Sequence, residues 1–275
     1  MSSKSTGTLA IIGGGNMGAA LAQGLVSSGR VDRARLAIVE VSAERRAVLA
    51  EMFPGSAIVA SIDHCDASVI AVKPPDAAAA AAAAVAAGAK RVLSIAAGVT
   101  LATLQAAVDA VASSDDASRV AVIRSMPNTP SLVGQGASAI AGGVDTTVAD
   151  RDWARDILGA VGLVVEVPES DLDAITGVTG SGPAYLFLVA EALIDAAVDV
   201  GLDRDQAAGL VRQLFVGSAA LLAQGDEPKV LRERVTSPQG TTAAGIAVLQ
   251  TEGVPDAFRA AVRAAVERSR ELGRS

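Results

Sequence analysis

Apolar residues recur along this chain in two rhythms, and the rhythm changes near residue 168. Before that point short runs rich in valine, isoleucine and alanine alternate with longer stretches of helical spacing. Leu9–Ile12, Arg35–Glu40, Ala57–Ala60, Ser68–Val72, Arg91–Ile95 and Arg119–Arg124 read as strands, with two more at Ala137–Ala141 and Leu163–Val167. Their apolar residues are consecutive rather than alternating, so both faces need cover, as in a parallel sheet between helical layers. The segments between them have lengths suited to right-handed crossovers. The alanine run over 76–89 begins behind Pro74, Pro75 and Asp76 and reads as one crossover helix with a small-residue face.

From Asp171 onward no strand pattern remains. Helical periodicity covers Ala184–Val200, Arg204–Ala223, Pro228–Val235, Thr241–Thr251 and Pro255–Leu272. Asp203 and Gln206 have capping-box spacing, and Pro255 suits a first helical position. The pattern predicts two domains: residues 1–168, an α/β unit with a mainly parallel sheet, and residues 169–275, all helical.

Composition narrows the chemistry. A length of 275 residues supplies a sizeable core, and a net charge of −7 argues against a nucleic-acid partner, which needs a basic face. No apolar run reads as long enough to span a bilayer, and the apolar stretch near the N-terminus is too short for a signal peptide. Cys65 is the only cysteine, so no intrachain disulfide forms, and the cytoplasm is the expected compartment.

One motif gives the first domain its task. Gly13, Gly15 and Gly18 follow an apolar strand and open a helix, the context in which G-x-G-x-x-G signals a dinucleotide site and a Rossmann-type fold. Gly13 permits the turn, Gly15 lets the backbone approach a pyrophosphate, and Gly18 lets helix and strand pack closely. Glu40 ends the second strand, where a carboxylate accepts from an adenosine ribose hydroxyl and repels a 2′-phosphate. That favours NAD(H). Arg45 and Arg46 pull the other way or belong to a solvated helix face, so the coenzyme stays open between NADPH and NADH.

The fourth strand is expected beside the first, which brings Ala71, Val72, Lys73 and Pro74 towards the middle of the coenzyme. Lys73 reads equally well as a surface lysine. Ala96 and Ala97, after the fifth strand, approach the nicotinamide side through small residues, and the proline-stiffened loop over 124–130 lies at the same edge.

The second domain offers a different anchor. Three glycines precede Pro183 at the start of a long helix, on which Glu191, Asp195 and Asp199 share a face at four-residue spacing. Without histidine or cysteine beside them, these acids read as a polar or interface face rather than a metal site. Further along, Ser237, Gly240, Thr241 and Thr242 surround a predicted helix start behind Pro238. Hydroxyls and free N–H groups there make a carboxylate-sized anion site without a basic side chain. Plain helix capping is the competing reading.

These residues carry a resemblance. The motifs IIGGGNMG, AVKP, AAGVT, RSMPNTP, TGSGPAY and VTSPQGTTAAG, spread over about residues 9–272, resemble the pyrroline-5-carboxylate reductase family. The resemblance implies reduction of the C5=N bond of 1-pyrroline-5-carboxylate to L-proline by NADPH or NADH. It implies coenzyme contacts from Ile12, Gly13, Gly14, Gly15, Asn16, Met17 and Gly18, with Glu40, Asp63, Ala71, Val72, Lys73, Pro74, Ala96 and Ala97. It implies a substrate carboxylate held by Ser237, Gly240, Thr241 and Thr242, with Thr242 also at the ring nitrogen. A helical dimerisation domain follows as well, giving a homodimer or a larger assembly of dimers. Two positions depart from the family pattern: Gln239 stands where a second glycine is usual, and Asp63 where asparagine is. Another imine or β-hydroxyacid reductase of similar build is the alternative enzyme, though its lysine acid has no counterpart in the helix after Pro183. A non-catalytic NAD(P)-binding regulator is the alternative outside enzymes. His64, the only histidine, reads as a loop residue.

Overall fold

The computed structural model describes residues 8–112 and 119–273. Among them, eight strands form one sheet: β1 (Leu9–Ile12), β2 (Leu36–Val39), β3 (Ala57–Val59), β4 (Ala67–Ile70), β5 (Arg91–Ser94), β6 (Ala121–Met126), β7 (Gly136–Gly142) and β8 (Gly162–Glu166). Their spatial order is β3-β2-β1-β4-β5-β6-β7-β8. Every pairing is parallel except β6 with β7, which the hairpin-like connection through 127–135 makes antiparallel. The expected mainly parallel sheet is therefore present, and β1 and β4 are neighbours.

Helices α1 (Asn16–Ser27), α2 (Ala43–Met52), α3 (Ala77–Ala86), α4 (Leu101–Asp109) and α5 (Val148–Leu158) connect the strands. Their apolar faces complete two clusters on opposite sides of the sheet, one around Leu21, Leu25, Ile38 and Leu49, the other around Ala77, Ala81, Ala84 and Leu104. The alanine run thus has a packing reason. Ala77, Ala81 and Ala84 are fully buried, and their small side chains let α3 lie close to β4, β5 and α4.

The chain forms two compact units, residues 1–181 with 265–275, and residues 182–264. The first ends later than the change of rhythm at residue 168. Leu172 on α6 (Leu172–Ile175) is buried against Ala139 and Ala141 of β7, so this short helix belongs with the sheet. A π-helical turn, Thr176–Gly180, follows it. At the other end, Ser269 on α11 (Val254–Leu272) donates to Asp173 at 2.6 Å, tying the last helical turns to the same unit.

The second unit contains α7 (Gly182–Asp199), α8 (Arg204–Leu222), α9 (Pro228–Arg234), α10 (Thr241–Thr251) and the first part of α11. Asp203 caps α8 by accepting the N–H groups of Asp205 and Gln206; no return bond from the Gln206 side chain is among the described ones, so half the predicted box forms. Asp195 pairs with Arg204 at 2.6 Å, which accounts for one member of the acidic face. Phe187 on α7 is 66% exposed, and Leu186 and Leu188 are also more than half exposed. Three consecutive helical residues point around more than half the helix, so much of the apolar surface of α7 is open in the single chain. One sequence expectation is corrected here: the helical run Glu169–Asp199, 31 residues, is long and apolar enough by length and composition to cross a membrane. The glycines and hydroxyls over 176–182 hid its continuity, because the π-helical turn joins two helices that the pattern separates.

Candidate active site

In an open parallel sheet the ligand crevice lies outside the carboxyl ends of the strands where the strand order reverses, here between β1 and β4. The β1–α1 turn occupies that point. Gly13 has φ of 111°, and a methyl group on it would collide with the Ala71 carbonyl. Ala71 N–H donates to the Ile12 carbonyl at 2.7 Å, and Gly13 N–H to that of Val39 at 2.9 Å. A methyl on Gly18 would in turn strike the Gly13 carbonyl. Gly15 is different: nothing lies within 4 Å of where its Cβ would stand.

That open side is where α1 begins. Gly15 is its N-cap, no side chain closes the first-turn amides, and no acidic residue stands in that turn. Free N–H groups, the positive end of the helix dipole and room beside Gly15 fit a dinucleotide pyrophosphate. Gly15 and Asn16 are exposed, Met17 is half-buried, and Ile12 and Gly14 are buried. Around the turn, Ile95 N–H donates to the Ile70 carbonyl at 3.0 Å, which sets the ends of β4 and β5 side by side. This brings Ala71–Pro74 together with Ala96, buried, and Ala97, exposed. Lys73 is exposed, and no described bond uses its ammonium group. Asp63 lies exposed on the β3–β4 segment, and no described contact joins it to the glycine turn. His64 is exposed beside it, 3.9 Å from Asp66.

Three features escaped the sequence reading. Glu40 does more than end β2: its Oε2 accepts the Gly14 N–H at 3.1 Å and its Oε1 accepts the Ser42 N–H at 2.9 Å. In the loop after β6, the largely buried Asn128 donates to the Thr179 carbonyl at 3.1 Å and accepts the Ala137 N–H at 2.8 Å. It ties that loop to the π-helical turn, a device common at functional sites. The buried Arg124 pairs with Glu169 at 2.9 Å, and the same carboxylate oxygen accepts the Leu101 N–H at 2.7 Å. For Asn128 the one available signal was its place in the Pro127-Asn128-Thr129-Pro130 stretch, which marks a stiff loop and not a hydrogen-bond partner.

In the second unit, α10 also begins on a glycine. Gly240, with φ of −78° and ψ of 170°, is its N-cap, and no side chain caps it. Ser42, Thr100, Thr147 and Asp203 cap α2, α4, α5 and α8 through their side chains, whereas α10, like α1, α3, α6 and α9, starts without one, even though hydroxyls stand beside it. The capping reading of the Ser/Thr cluster therefore fails: no described bond ties a hydroxyl of Ser237, Thr241 or Thr242 to these amides. Ser237 Oγ instead stands against Gly240, where a methyl group would collide with it, and Gly240 N–H donates to the Ser237 carbonyl at 3.0 Å. Thr241, Thr242 and Ser237 are exposed, and no acid lies in the first turn. Among the described residues Gln239 is the one non-glycine with positive φ, at 61°. The turn keeps a glycine-type backbone although the side chain is glutamine.

Comparisons with known proteins cover both units. Residues 169–272 match the family model described as pyrroline-5-carboxylate reductase dimerisation, and residues 8–98 match the model described as NADP oxidoreductase, coenzyme F420-dependent. The pyrroline-5-carboxylate reductase of Synechocystis sp. is 40% identical over 274 residues, covering 97% of this chain and 98% of its own. Among solved structures, the pyrroline-5-carboxylate reductase of Coxiella burnetii has a TM-score of 0.87 at 32% identity, covering 98% of this chain and all of its own. The Plasmodium falciparum pyrroline carboxylate reductase, solved with NADP bound, has a TM-score of 0.82 at 30% identity with the same coverage. By similarity that runs through both units, the chain belongs to the pyrroline-5-carboxylate reductase family.

Proposed function

We propose that the chain reduces the C=N bond of 1-pyrroline-5-carboxylate to give L-proline, with NAD(P)H as reductant. The observation that carries the reading is the uncapped start of α10, framed by Ser237, Gly240, Thr241 and Thr242, within a family of reductases for this substrate. A ring carboxylate is the size of anion that such a helix start accepts.

The bound nicotinamide coenzyme supplies the hydride; the chain supplies placement. Gly13, Gly15 and Gly18 shape the turn, and the amides at the start of α1 take the pyrophosphate. Ile12, Gly14, Asn16 and Met17, with Ala71, Val72, Lys73 and Pro74, flank it, and Ala96 and Ala97 form a small-residue wall for the nicotinamide end. Asp63 is assigned to the adenosine side, as the family pattern suggests. In the second unit Gly240 shapes the turn, its own N–H closed on the Ser237 carbonyl, while the amides of Thr241 and Thr242 at the start of α10 and the Ser237 hydroxyl hold the substrate carboxylate. Thr242 Oγ1 donates to or accepts from the ring nitrogen, fixing the imine's orientation. The nitrogen draws its proton from solution, so His64 has no catalytic task. Restricting two partners to one geometry is worth several kcal/mol of barrier, which is what such a site contributes.

Residues 1–168 form the coenzyme part and residues 169–275 the substrate and dimerisation part. The protein is a homo-oligomer, a homodimer or an assembly of dimers, whose contact covers the apolar face of α7. It works in the cytoplasm, where the unpaired Cys65 stays reduced. The test is direct: purified protein, 1-pyrroline-5-carboxylate and reduced coenzyme, with proline identified chemically. Coenzyme oxidation with equimolar proline supports the reading. No proline with either coenzyme refutes it.

A further inference from the structure

At the end of β2 a carboxylate and two guanidinium groups compete for one place, that of the adenosine ribose. The hydrogen bonds decide between them. Glu40 is held by main chain on two segments, Gly14 N–H on one oxygen and Ser42 N–H on the other. Arg45 Nε donates to the Gly14 carbonyl at 2.8 Å, so both main-chain polar groups of Gly14 are engaged. Arg46 Nη1 donates to the carbonyls of Glu40 and Val41, each at 2.8 Å. The Ser42 hydroxyl donates to the Glu44 carboxylate at 2.7 Å. Both guanidinium groups keep their charge but are tethered to main-chain carbonyls, while the Glu40 carboxylate is fixed beside the glycine turn from two sides.

We propose that Glu40, clasped to Gly14 and Ser42, makes this chain selective for NADH over NADPH. The inference rests on the coenzyme reading of the glycine turn. Each carboxylate oxygen has two acceptor sites, so one main-chain bond apiece leaves capacity for a ribose diol, whose hydroxyls donate. A 2′-phosphate brings only acceptors and about two negative charges. Glu40 cannot move aside without giving up both main-chain bonds and loosening Gly14. An acid at a strand end is a weak signal by itself; an acid fixed by the glycine turn it serves is a selective element.

The test titrates the full-length protein with NADH and with NADPH by calorimetry, without substrate. The expected Kd for NADH is lower by at least roughly tenfold. Glu40→Gln keeps an acceptor for one main-chain N–H and removes the charge; the preference for NADH should shrink to about threefold or less, chiefly through tighter NADPH binding. Arg46→Ala should weaken both coenzymes alike. A wild-type protein that binds NADPH as tightly as NADH overturns the proposal, and so does an Arg46→Ala variant that loses NADPH alone. Because binding is read without substrate, equal affinities alongside proline formation would end this inference and leave the reductase reading standing. Clear NADH preference without turnover would do the reverse.

Discussion

Asn128 donates its side-chain amide to the Thr179 carbonyl at 3.1 Å across 51 positions of sequence. Its oxygen accepts the Ala137 N–H at 2.8 Å, so one largely buried side chain satisfies main-chain groups on the π-helical turn and on β7. Asn128→Ala would strand both, each at about 1–3 kcal/mol if it stays dry. The expected result is a loss of roughly 2–6 kcal/mol in urea unfolding. Asn128→Asp retains the acceptor for Ala137 but faces the Thr179 carbonyl with a charge, and should recover only part of the loss. Wild-type stability in Asn128→Ala would show that the two main-chain groups find other partners.

Gly13 and Gly15 stand two residues apart and should fail in opposite ways. A side chain at Gly13 meets the Ala71 carbonyl and must also accept φ of 111°, so Gly13→Ala should destabilise the fold by several kcal/mol. Gly15 has φ of −66° and open space, so Gly15→Val should leave the melting temperature within a few degrees of wild type. The valine would stand where the pyrophosphate approaches, and calorimetry should then detect no dinucleotide binding. A Gly15→Val protein with undiminished coenzyme affinity would remove the glycine turn from the site.

What the sequence made legible is local. The strand at Leu9–Ile12 and the helix starting behind it follow from apolar runs and turn chemistry within a dozen residues. The β1–β4 adjacency follows from topology rules. The antiparallel β6–β7 pairing was not legible, because nothing near Met126 or Gly136 records direction. Nor was the attachment of α6 to the sheet, which rests on Leu172 meeting Ala139 and Ala141. The Glu40 clasp joins residues 26 apart, so Glu40 could be placed at the ribose from its sequence position but not shown to brace Gly14. At the substrate turn, the sequence raised the question of Gln239 and only the backbone answers it.

Asp150 links acid stability to the sheet edge away from the proposed coenzyme turn. It accepts from Arg91 at 2.8 Å and closes a capping box with Thr147 at the start of α5. Burial pushes its carboxyl up, but bonds from Thr147 and Arg91 outweigh that and hold it below the ordinary value. The folded form therefore binds fewer protons than the unfolded chain as pH falls. Its contribution is complete above about pH 4 and is lost as pH drops through the lowered folded value. Asp150→Asn should cost about 1–2 kcal/mol at pH 7. The difference from wild type should narrow below about pH 4 in denaturant titrations. A gap that stays constant from pH 7 to pH 3 would rule out this carboxylate as the source.

Thr242 and Gly240 separate binding of the substrate from binding of the coenzyme. Thr242→Ala removes the hydroxyl assigned to the ring nitrogen, and kcat/KM for pyrroline-5-carboxylate should fall about 10–100-fold, the loss of one or two good hydrogen bonds. Gly240→Ala puts a methyl into Ser237 Oγ and should raise KM by at least about tenfold by spreading the turn. Dinucleotide affinity measured without substrate should be unaltered in both. Normal kinetics in Thr242→Ala would take the α10 start out of the reaction.

Gln239 separates the shape of that turn from its side chain. A left-handed conformation costs a non-glycine residue about 1–2 kcal/mol, and glycine loses about 0.4–1 kcal/mol more chain entropy on folding. Gln239→Gly should thus leave stability unchanged or raise it by up to about 1 kcal/mol, with the substrate turn intact. Gln239→Pro forces φ near −65°, against the observed 61°, and should spoil the turn. If the backbone alone matters, KM for pyrroline-5-carboxylate stays near wild type in Gln239→Gly and rises at least about tenfold in Gln239→Pro. A similar rise in both would mean that the glutamine amide itself reaches the substrate. No rise in either would mean that the turn is not part of the site.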